Sequence, residues 1–245
     1  MRSSFKAQFC KRLLVYCVGL FIMALGVAFS VKSDLGVSPV NAIPYVLSEI
    51  LEVDMGRCII AVFSGYILLQ LILLGRRFAP WRLLQIICSV LFGYFTDFSN
   101  WLLGLCLPDF TMLGLPAAAL YGLQLLCLVV SMALVGLGIF LYLAPGLMPL
   151  PGEGLMQVIA EKWNRPLHHV KIGFDCTVLA AALLLSLFYF HGLHGVREGS
   201  VIAAVGVGKF LGLFSARFRT RLARALEREA AGSDGPEGRA VEEAV

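Results

Sequence analysis

Long uninterrupted runs of apolar residues are the feature that most restricts what this chain can fold into. The runs LLVYCVGLFIMALGVAFSV at 13–31 and LYGLQLLCLVVSMALVGLGIFLYL at 120–143 have about the ~20 residues that a helix needs to cross a ~30 Å hydrocarbon layer. Backbone polar groups in that layer must be satisfied within each segment, and no alternating strand pattern is visible. With 59% hydrophobic and 15% charged residues, the composition indicates an all-α integral membrane protein.

Six apolar runs are long enough to span the membrane, and two apolar helices are too short to do so. The predicted spans cover residues 13–33, 57–75, 82–104, 117–143, 170–191 and 199–216, and the two short helices cover 39–52 and 151–164. The sequence therefore predicts six transmembrane helices and two additional helices that do not cross.

Lysine and arginine residues set the expected orientation, because cytoplasmic loops carry an excess of them. If neither short helix crosses, the basic groups at 2–12, 76–82, 162–165 and 217–224 all fall on one side. A crossing by one short helix would move the later groups to the other side. The pattern predicts a membrane protein with both termini in the cytoplasm.

The first short helix follows a polar break, KSDLGVSP at 32–39. Residues 34–38, extended at ~3.3 Å each, reach about 16 Å, half of the hydrocarbon layer, and a helix rising ~1.5 Å per residue over 39–52 returns about 21 Å. Ser38 is a favourable N-cap and Pro39 suits the first helical position. We expect a re-entrant segment; the alternative is a helix lying flat at the interface.

A repeat relates the two halves of the chain. At an offset of 112 residues each half shows a span, a break and a short helix, and beyond a three-residue insertion the offset becomes 115. The matched pairs are Gly26 and Gly138, Pro39 and Pro151, Ala42 and Gly154, Glu49 and Glu161, and Gly93 and Gly208. Three spans are an odd number, so the second copy must be inverted. The expected domains are repeat 1 at 1–111, repeat 2 at 112–218 and a charged cytoplasmic tail at 219–245.

Two segments resemble a known family. GVAFSVKSDLGVSPVNAIPYVLSE and RRFAPWRLLQIICSVLFGYFTDF are similar to the YczE/YyaS/YitT family of bacterial multi-pass membrane proteins, particularly its YczE branch. The resemblance covers about residues 10–216, and its most specific part is D-L-G-x-S-P, which begins at Asp34. The second copy, GLMPLPGEGL, lacks the acidic residue and the serine. The resemblance implies a bacterial integral membrane protein and supports the fold more than an activity.

The starts of the short helices carry the candidate substrate-binding residues. Ser38 and Asn41 belong to the first, and Glu153 and Gln157 to the second. A helix N-terminus carries about half a positive charge and free N–H groups, which suit an anionic or carbonyl-bearing ligand. Two structural explanations stay open: Ser38 as a simple cap, and Glu153 as a partner of its own helix dipole.

Charged residues inside the spans are costly and need a reason. Asp97 in the third span and Lys209 in the sixth lie at depths that differ by about 8 Å, which a lysine stem can bridge. Three arrangements are open: an ion pair that responds to protons or substrate, an ion pair with only a structural role, or two separate charges that face different cavities. Lys171 and Asp175, four residues apart, are expected to pair where the fifth span enters the membrane.

Inverted repeats with proline-interrupted short helices are a recurring construction of secondary transporters. The sequence therefore predicts alternating-access transport of a small solute of unknown class. The alternative is an accessory protein that docks a partner through its tail. Anionic lipid headgroups are another expected contact of the arginines in that tail. The sequence shows no catalytic constellation, cofactor motif, metal-ligand spacing or nucleic-acid motif. A homo-oligomer is compatible with the pattern.

Overall fold

A computed structural model describes the backbone of residues 2–231, apart from 109, 115 and 193–196, and side chains within 9–218, apart from those positions and 111, 113, 167 and 168. This part of the chain forms eight α-helices and three short 3-10 turns, with no strand among the described residues. The helices are α1 (Arg2–Ser33), α2 (Pro39–Leu51), α3 (Met55–Leu74), α4 (Gln85–Cys106), α5 (Ala117–Leu143), α6 (Pro151–Lys162), α7 (Leu167–Phe190) and α8 (Glu198–Ala231).

Six of these helices contain a segment long and apolar enough to cross a membrane, and each overlaps a predicted span. The segments are Phe9–Ser33, Met55–Arg77, Pro80–Cys106, Ala117–Leu143, His169–Phe190 and Glu198–Phe218. The remaining two, α2 with 13 residues and α6 with 12, rise only about 20 and 18 Å at ~1.5 Å per residue. The prediction of six long apolar helices and two short ones is confirmed.

The centre of the bundle is the contact between α1 and α5. A Cβ atom built on Gly138 would lie 2.5 Å from the backbone nitrogen of Met23, and one built on Gly26 would lie 2.8 Å from the backbone nitrogen of Val135. Glycine is required at both positions because the two backbones almost touch. The largest hydrophobic cluster surrounds this contact and includes Leu20, which is fully buried.

The other helices are arranged around the central pair. α4 packs on α1, and α8 packs on α5. α2 lies against α3 and α7, and α6 lies against the same two helices. The two short helices are thus enclosed by long ones along their length, which explains why residues such as Val46 in α2 and Val158 in α6 are fully buried.

Side-chain hydrogen bonds join neighbouring helix ends at both ends of the bundle. Lys162, at the end of α6, donates from Nζ to the carbonyl oxygen of Leu73 in α3 at 3.0 Å. At the other end of the bundle, Arg197 donates to the carbonyl oxygen of Asp34 at 2.8 Å and pairs with its carboxylate at 3.6 Å. The loops after α3 and α6, which hold the basic groups at 76–82 and 162–165, therefore share one end.

The D-L-G-x-S-P element has a physical explanation in the break between α1 and α2. Gly36 has a φ of +112°, and a Cβ there would run into the Ser200 hydroxyl, so only glycine fits. Ser30 Oγ donates to the Gly36 carbonyl oxygen at 3.0 Å, and the Gly199 N–H donates to the Leu35 carbonyl oxygen at 2.9 Å. The broken backbone is therefore satisfied by α1 and by the start of α8.

The predicted tail, 219–245, is covered only in part. The backbone continues α8 as a helix to Ala231. The rest of the tail, 232–245, lies outside the described residues.

The α1–α5 contact predicts that the stability of the protein depends strongly on the small residues at this contact. Gly138→Val forces a side chain into the α1 backbone, so it should lower the free energy of unfolding by about 1–3 kcal/mol. Thermal unfolding of the purified protein in detergent, followed by size-exclusion chromatography, measures the effect. Gly122→Val on the same helix is the control, because a Cβ at Gly122 meets nothing within 4 Å. Equal stability of the two variants would show that the close approach is absent.

Candidate functional site

A cavity of about 260 Å³ lies inside the bundle and is bordered by six helices. At ~30 Å³ per water it corresponds to about nine water molecules, which is the size of a small organic solute. Its walls are mostly apolar side chains of α1, α5 and α8, with polar groups supplied by α2, α6 and α7. The lining residues are Met23, Ser38, Pro39, Val40, Val135, Ile139, Leu143, Glu153, Met156, Gln157, Lys171, Asp175, Ala203, Ala204, Val207, Gly208 and Leu211.

The N-terminal ends of the two short helices meet at this cavity. A Cβ atom on Gly152, the second residue of α6, would lie 3.4 Å from Cγ1 of Val40, the second residue of α2. The cavity wall next to them includes Met23, close to the middle of the segment Phe9–Ser33, and Gly208, in the middle of Glu198–Phe218. Both short helices therefore begin inside the bundle, between long helices.

Ser38 and Asn41 have different surroundings. Ser38 is at the N-cap position of α2 and lines the cavity, but its hydroxyl makes no capping bond. That hydroxyl instead accepts a hydrogen bond from Nδ2 of Asn41 at 3.1 Å. Asn41 is fully buried behind Ser38, and its Oδ1 has no hydrogen-bond partner. Ser38 is thus a cavity residue, and Asn41 supports it from behind.

Glu153 and Gln157 both line the cavity, one helical turn apart on α6. Oε2 of Glu153 is inaccessible to solvent and has no hydrogen-bond partner. The hydroxyl of the fully buried Tyr142 lies beside this carboxyl group, again without a well-formed hydrogen bond. Tyr142 is held edge-to-face by Tyr16, with ring centroids 5.9 Å apart. The carboxyl group is therefore buried beside the Tyr142 hydroxyl, and Lys171 and Asp175 are its charged neighbours.

Lys171 and Asp175 are cavity residues that sequence reasoning placed at the membrane interface. The expected pair is present, with Lys171 Nζ 3.1 Å from Asp175 Oδ2. Asp175 is 9% exposed, and its Oδ1 has no hydrogen-bond partner. Their spacing showed that the two share a helix face, but it gave no information on whether that face meets lipid or the starts of α2 and α6. Lys171 is half-exposed and marks an open side of the cavity.

Asp97 has a structural role that the sequence did not reveal. Its Oδ1 accepts a hydrogen bond from the backbone N–H of Gly56, in the first turn of α3, at 2.6 Å. The local N-cap residue, Asp54, makes no side-chain cap bond. Asp97 therefore caps α3 from the neighbouring helix α4 and satisfies an N–H group that a helix start leaves free.

Lys209 does not meet Asp97. It is exposed on α8, one residue from the cavity residue Gly208, and among the described residues no ion pair joins it to Asp97. The direct pair, one of the arrangements that the sequence left open, is not formed, because similar depth along two spans says nothing about their lateral separation: α4 packs on α1, whereas α8 packs on α5.

Taken together, the site is a small apolar chamber whose polar groups come from the starts of two short helices and from α7. Within the described residues, the chain is a multi-pass membrane protein with six long apolar helices and a cavity between them.

The chain belongs to the family described as "Family of unknown function (DUF6198)", whose model matches residues 10–216. It is similar to "Uncharacterized membrane protein YczE" of Bacillus subtilis (strain 168), with 29% identity over 208 residues, 84% of this chain and 86% of the relative. It is also similar to "Uncharacterized protein YyaS" of the same organism, with 25% identity over 201 residues, 82% of this chain and 90% of the relative. No solved structure matches the chain. The resemblance to the YczE and YyaS proteins is thereby confirmed.

The cap on α3 yields a test of the role of Asp97. Asp97→Ala removes the only side-chain acceptor described for the Gly56 N–H, so the free energy of unfolding should fall by about 1–2 kcal/mol. Asp54→Ala is the matched control: it removes an exposed pair with Arg57 at 3.3 Å and no cap bond, and should cost about 0.5 kcal/mol or less. Thermal unfolding in detergent compares them, and a larger loss for Asp54→Ala would refute the assignment.

Proposed function

We propose that the chain is a secondary transporter of a small solute, which works by alternating access between two inverted three-helix repeats. The observation that carries the proposal is that the N-terminal ends of both short helices open onto one cavity. Paired half-helix N-termini near the bilayer midplane are a recurring substrate site of such transporters. The relatives are named only as uncharacterised proteins, so the activity rests on this geometry.

Re-entry of the short helices is supported by the position of their starts and by how the chain breaks are satisfied. Both starts lie inside the bundle beside long apolar helices, where a bare backbone would lack hydrogen-bond partners. Each short helix begins with a proline, which has no N–H to satisfy. At α6, Gln70 Nε2 donates to the carbonyl oxygen of Pro151 at 3.1 Å and to Gln85 Oε1 at 3.0 Å.

The inverted repeat is supported by reciprocal contacts across the α1–α5 centre. Gly26 approaches Val135, and Gly138 approaches Met23. Shifting Gly26 and Met23 by the repeat offset of 112 gives Gly138 and Val135, so the repeat operation exchanges one contact for the other. The helix pairs follow the same exchange: α1 with α4 matches α5 with α8, and α2 with α7 matches α6 with α3. Such exchange is what a two-fold axis between two copies produces.

One interface departs from this correspondence, and the departure supports alternating access. In repeat 1, α3 and α4 are in close contact, and a Cβ on Gly93 would lie 2.7 Å from the Gly56 carbonyl oxygen. In repeat 2, the described parts of α7 and α8 have no comparable packing, and both border the cavity. In this proposal the opposite state closes α7 on α8 and separates α3 from α4, and the Asp97–Gly56 bond breaks in the exchange.

The orientation follows from the charged ends. The basic loops after α3 and α6 share one end of the bundle, and cytoplasmic loops carry the excess of lysine and arginine. We therefore place both termini in the cytoplasm of a bacterial cell and the protein in its inner membrane. Lys171, at the open side of the cavity, then faces the cytoplasm, and the state described is open inward.

Solute exchange by reconstituted protein tests the proposal. Proteoliposomes loaded with a mixture of unlabelled amines, amino acids, carboxylic acids and sugars are exposed to the labelled mixture, and mass spectrometry identifies any solute that exchanges. Gly208→Leu adds a side chain at the cavity wall, where a Cβ atom meets nothing within 4 Å, and should reduce exchange at least about tenfold by occupying substrate volume.

Gly212→Leu provides the matched control, because Gly212 lies one turn further along α8, has equally open space and does not line the cavity. It should exchange solute as the unaltered protein does. Absence of exchange for every solute, with protein that elutes as a single peak before and after reconstitution, would contradict the transport proposal. Equal solute exchange by the two variants would show that the solute does not pass through the cavity.

A further inference from the structure

Two carboxyl oxygens of residues that line the cavity form no hydrogen bond. Glu153 Oε2 and Asp175 Oδ1 are both inaccessible to solvent and both lack a hydrogen-bond partner, although each residue lines the cavity. Buried acceptors are rarely left unpaired, because a carboxylate loses its hydration when it is buried. The two atoms belong to different helices, α6 and α7, so a single missing group between the helices can account for both.

The charges of the cavity leave room for a cation. Lys171 is paired with Asp175 through Oδ2, at 3.1 Å, and leaves Oδ1 unused. Among the described residues no ion pair involves Glu153, and its neighbour Tyr142 supplies a neutral hydroxyl. The α6 N-terminus contributes at most about half a positive charge, which is less than a carboxylate carries. With both carboxyl groups ionised, the cavity therefore has an unbalanced negative charge beside Glu153.

The rest of the lining determines the form of the ligand. The walls near Val135, Ile139 and Val207 are apolar and suit a hydrocarbon group. Unpaired acceptors require N–H or O–H donors. A quaternary ammonium has none, whereas a protonated primary amine has three and also carries the positive charge that balances a carboxylate. A volume of about 260 Å³ restricts the ligand to a small molecule.

We propose that this cavity binds a protonated primary amine attached to an apolar body, with the ammonium group between Glu153 and Asp175. The inference deepens the proposed function and rests on it for the role of the cavity as the substrate site. A simple amine and an apolar amino acid both present this chemistry, and they differ in whether a carboxylate is also tolerated.

Direct binding to the purified protein in detergent tests the ligand class. Isothermal titration calorimetry compares four probes with one phenyl body: 2-phenylethylamine, phenylalanine, 3-phenylpropionate and 2-phenylethanol. We expect at least one of the two ammonium-bearing probes to bind about tenfold or more tightly than the anion and the neutral alcohol. Tighter binding of phenylalanine identifies an amino acid as the source of the amine, and tighter binding of 2-phenylethylamine identifies a simple amine.

Three variants connect the binding to the named carboxyl groups. Glu153→Gln and Asp175→Asn keep the shape of the side chain and remove its charge, so the Kd of the ammonium probe should rise about 10- to 100-fold. Glu161→Gln makes the same change on an exposed position of α6 outside the cavity, and should leave the Kd unchanged. Size-exclusion chromatography checks that each variant is folded; if one carboxyl variant is not, the other decides.

Three results would overturn the inference: equal or tighter binding of 3-phenylpropionate or 2-phenylethanol, no binding of any probe, or an unchanged Kd in the folded carboxyl variants. The outcome is separable from that of the transport proposal. Amine binding without solute exchange contradicts transport and leaves the ligand class standing. Exchange of an anionic or neutral solute, without amine binding, does the reverse.

Discussion

The constraint on which the rest of the structure depends is the length of two helices. α2 and α6 rise about 20 and 18 Å, well short of a ~30 Å hydrocarbon layer. Because they lie inside the bundle, the non-helical backbone before each of them must find its hydrogen-bond partners in the protein. Neighbouring helices supply the partners for the broken backbone: the start of α8 at the first break, and Gln70 of α3 at the second. The starts of both helices then face inward, and the cavity forms where they meet.

Polar groups inside the bundle divide according to whether their bonds are complete. Asp97 has a short bond to Gly56, and Gln70 bonds to Gln85 and Pro151, so these side chains stabilise the packing of the helices. Glu153 and Asp175 each keep an oxygen without a partner, and both border the cavity. In a medium without water an incomplete bond is expensive, and this is the basis of the proposal that a ligand completes the bonds of Glu153 and Asp175.

The elements of the fold were predictable from the sequence, and the contacts between them were not. Hydrophobic length gave the spans, and Pro39 and Pro151 marked the starts of the short helices, because both signals are local. Ser38, Glu153 and Gln157 line one cavity, and their role in binding a substrate stays a prediction. Whether Asp97 and Lys209 meet could not be decided from the sequence, because depth along a span carries no information on which helices are neighbours. Lys171 and Asp175 were missed for a related reason, since their spacing identifies a helix face and not what it faces.

Cross-linking of the two short helices tests the central claim most directly. Val40→Cys and Gly152→Cys are introduced into a chain whose seven native cysteines are replaced, with a protease site in the loop between α4 and α5. The short Val40–Gly152 distance suits a disulfide, so oxidation in native membranes should hold the cleaved halves together until a reductant is added. A control pair at the opposite ends of the helices, Val53→Cys with Asn164→Cys, should leave the halves separate. Failure of the first pair to cross-link, or equal cross-linking of the control, would mean that the helices do not meet at their starts and that the cavity they are said to share does not exist.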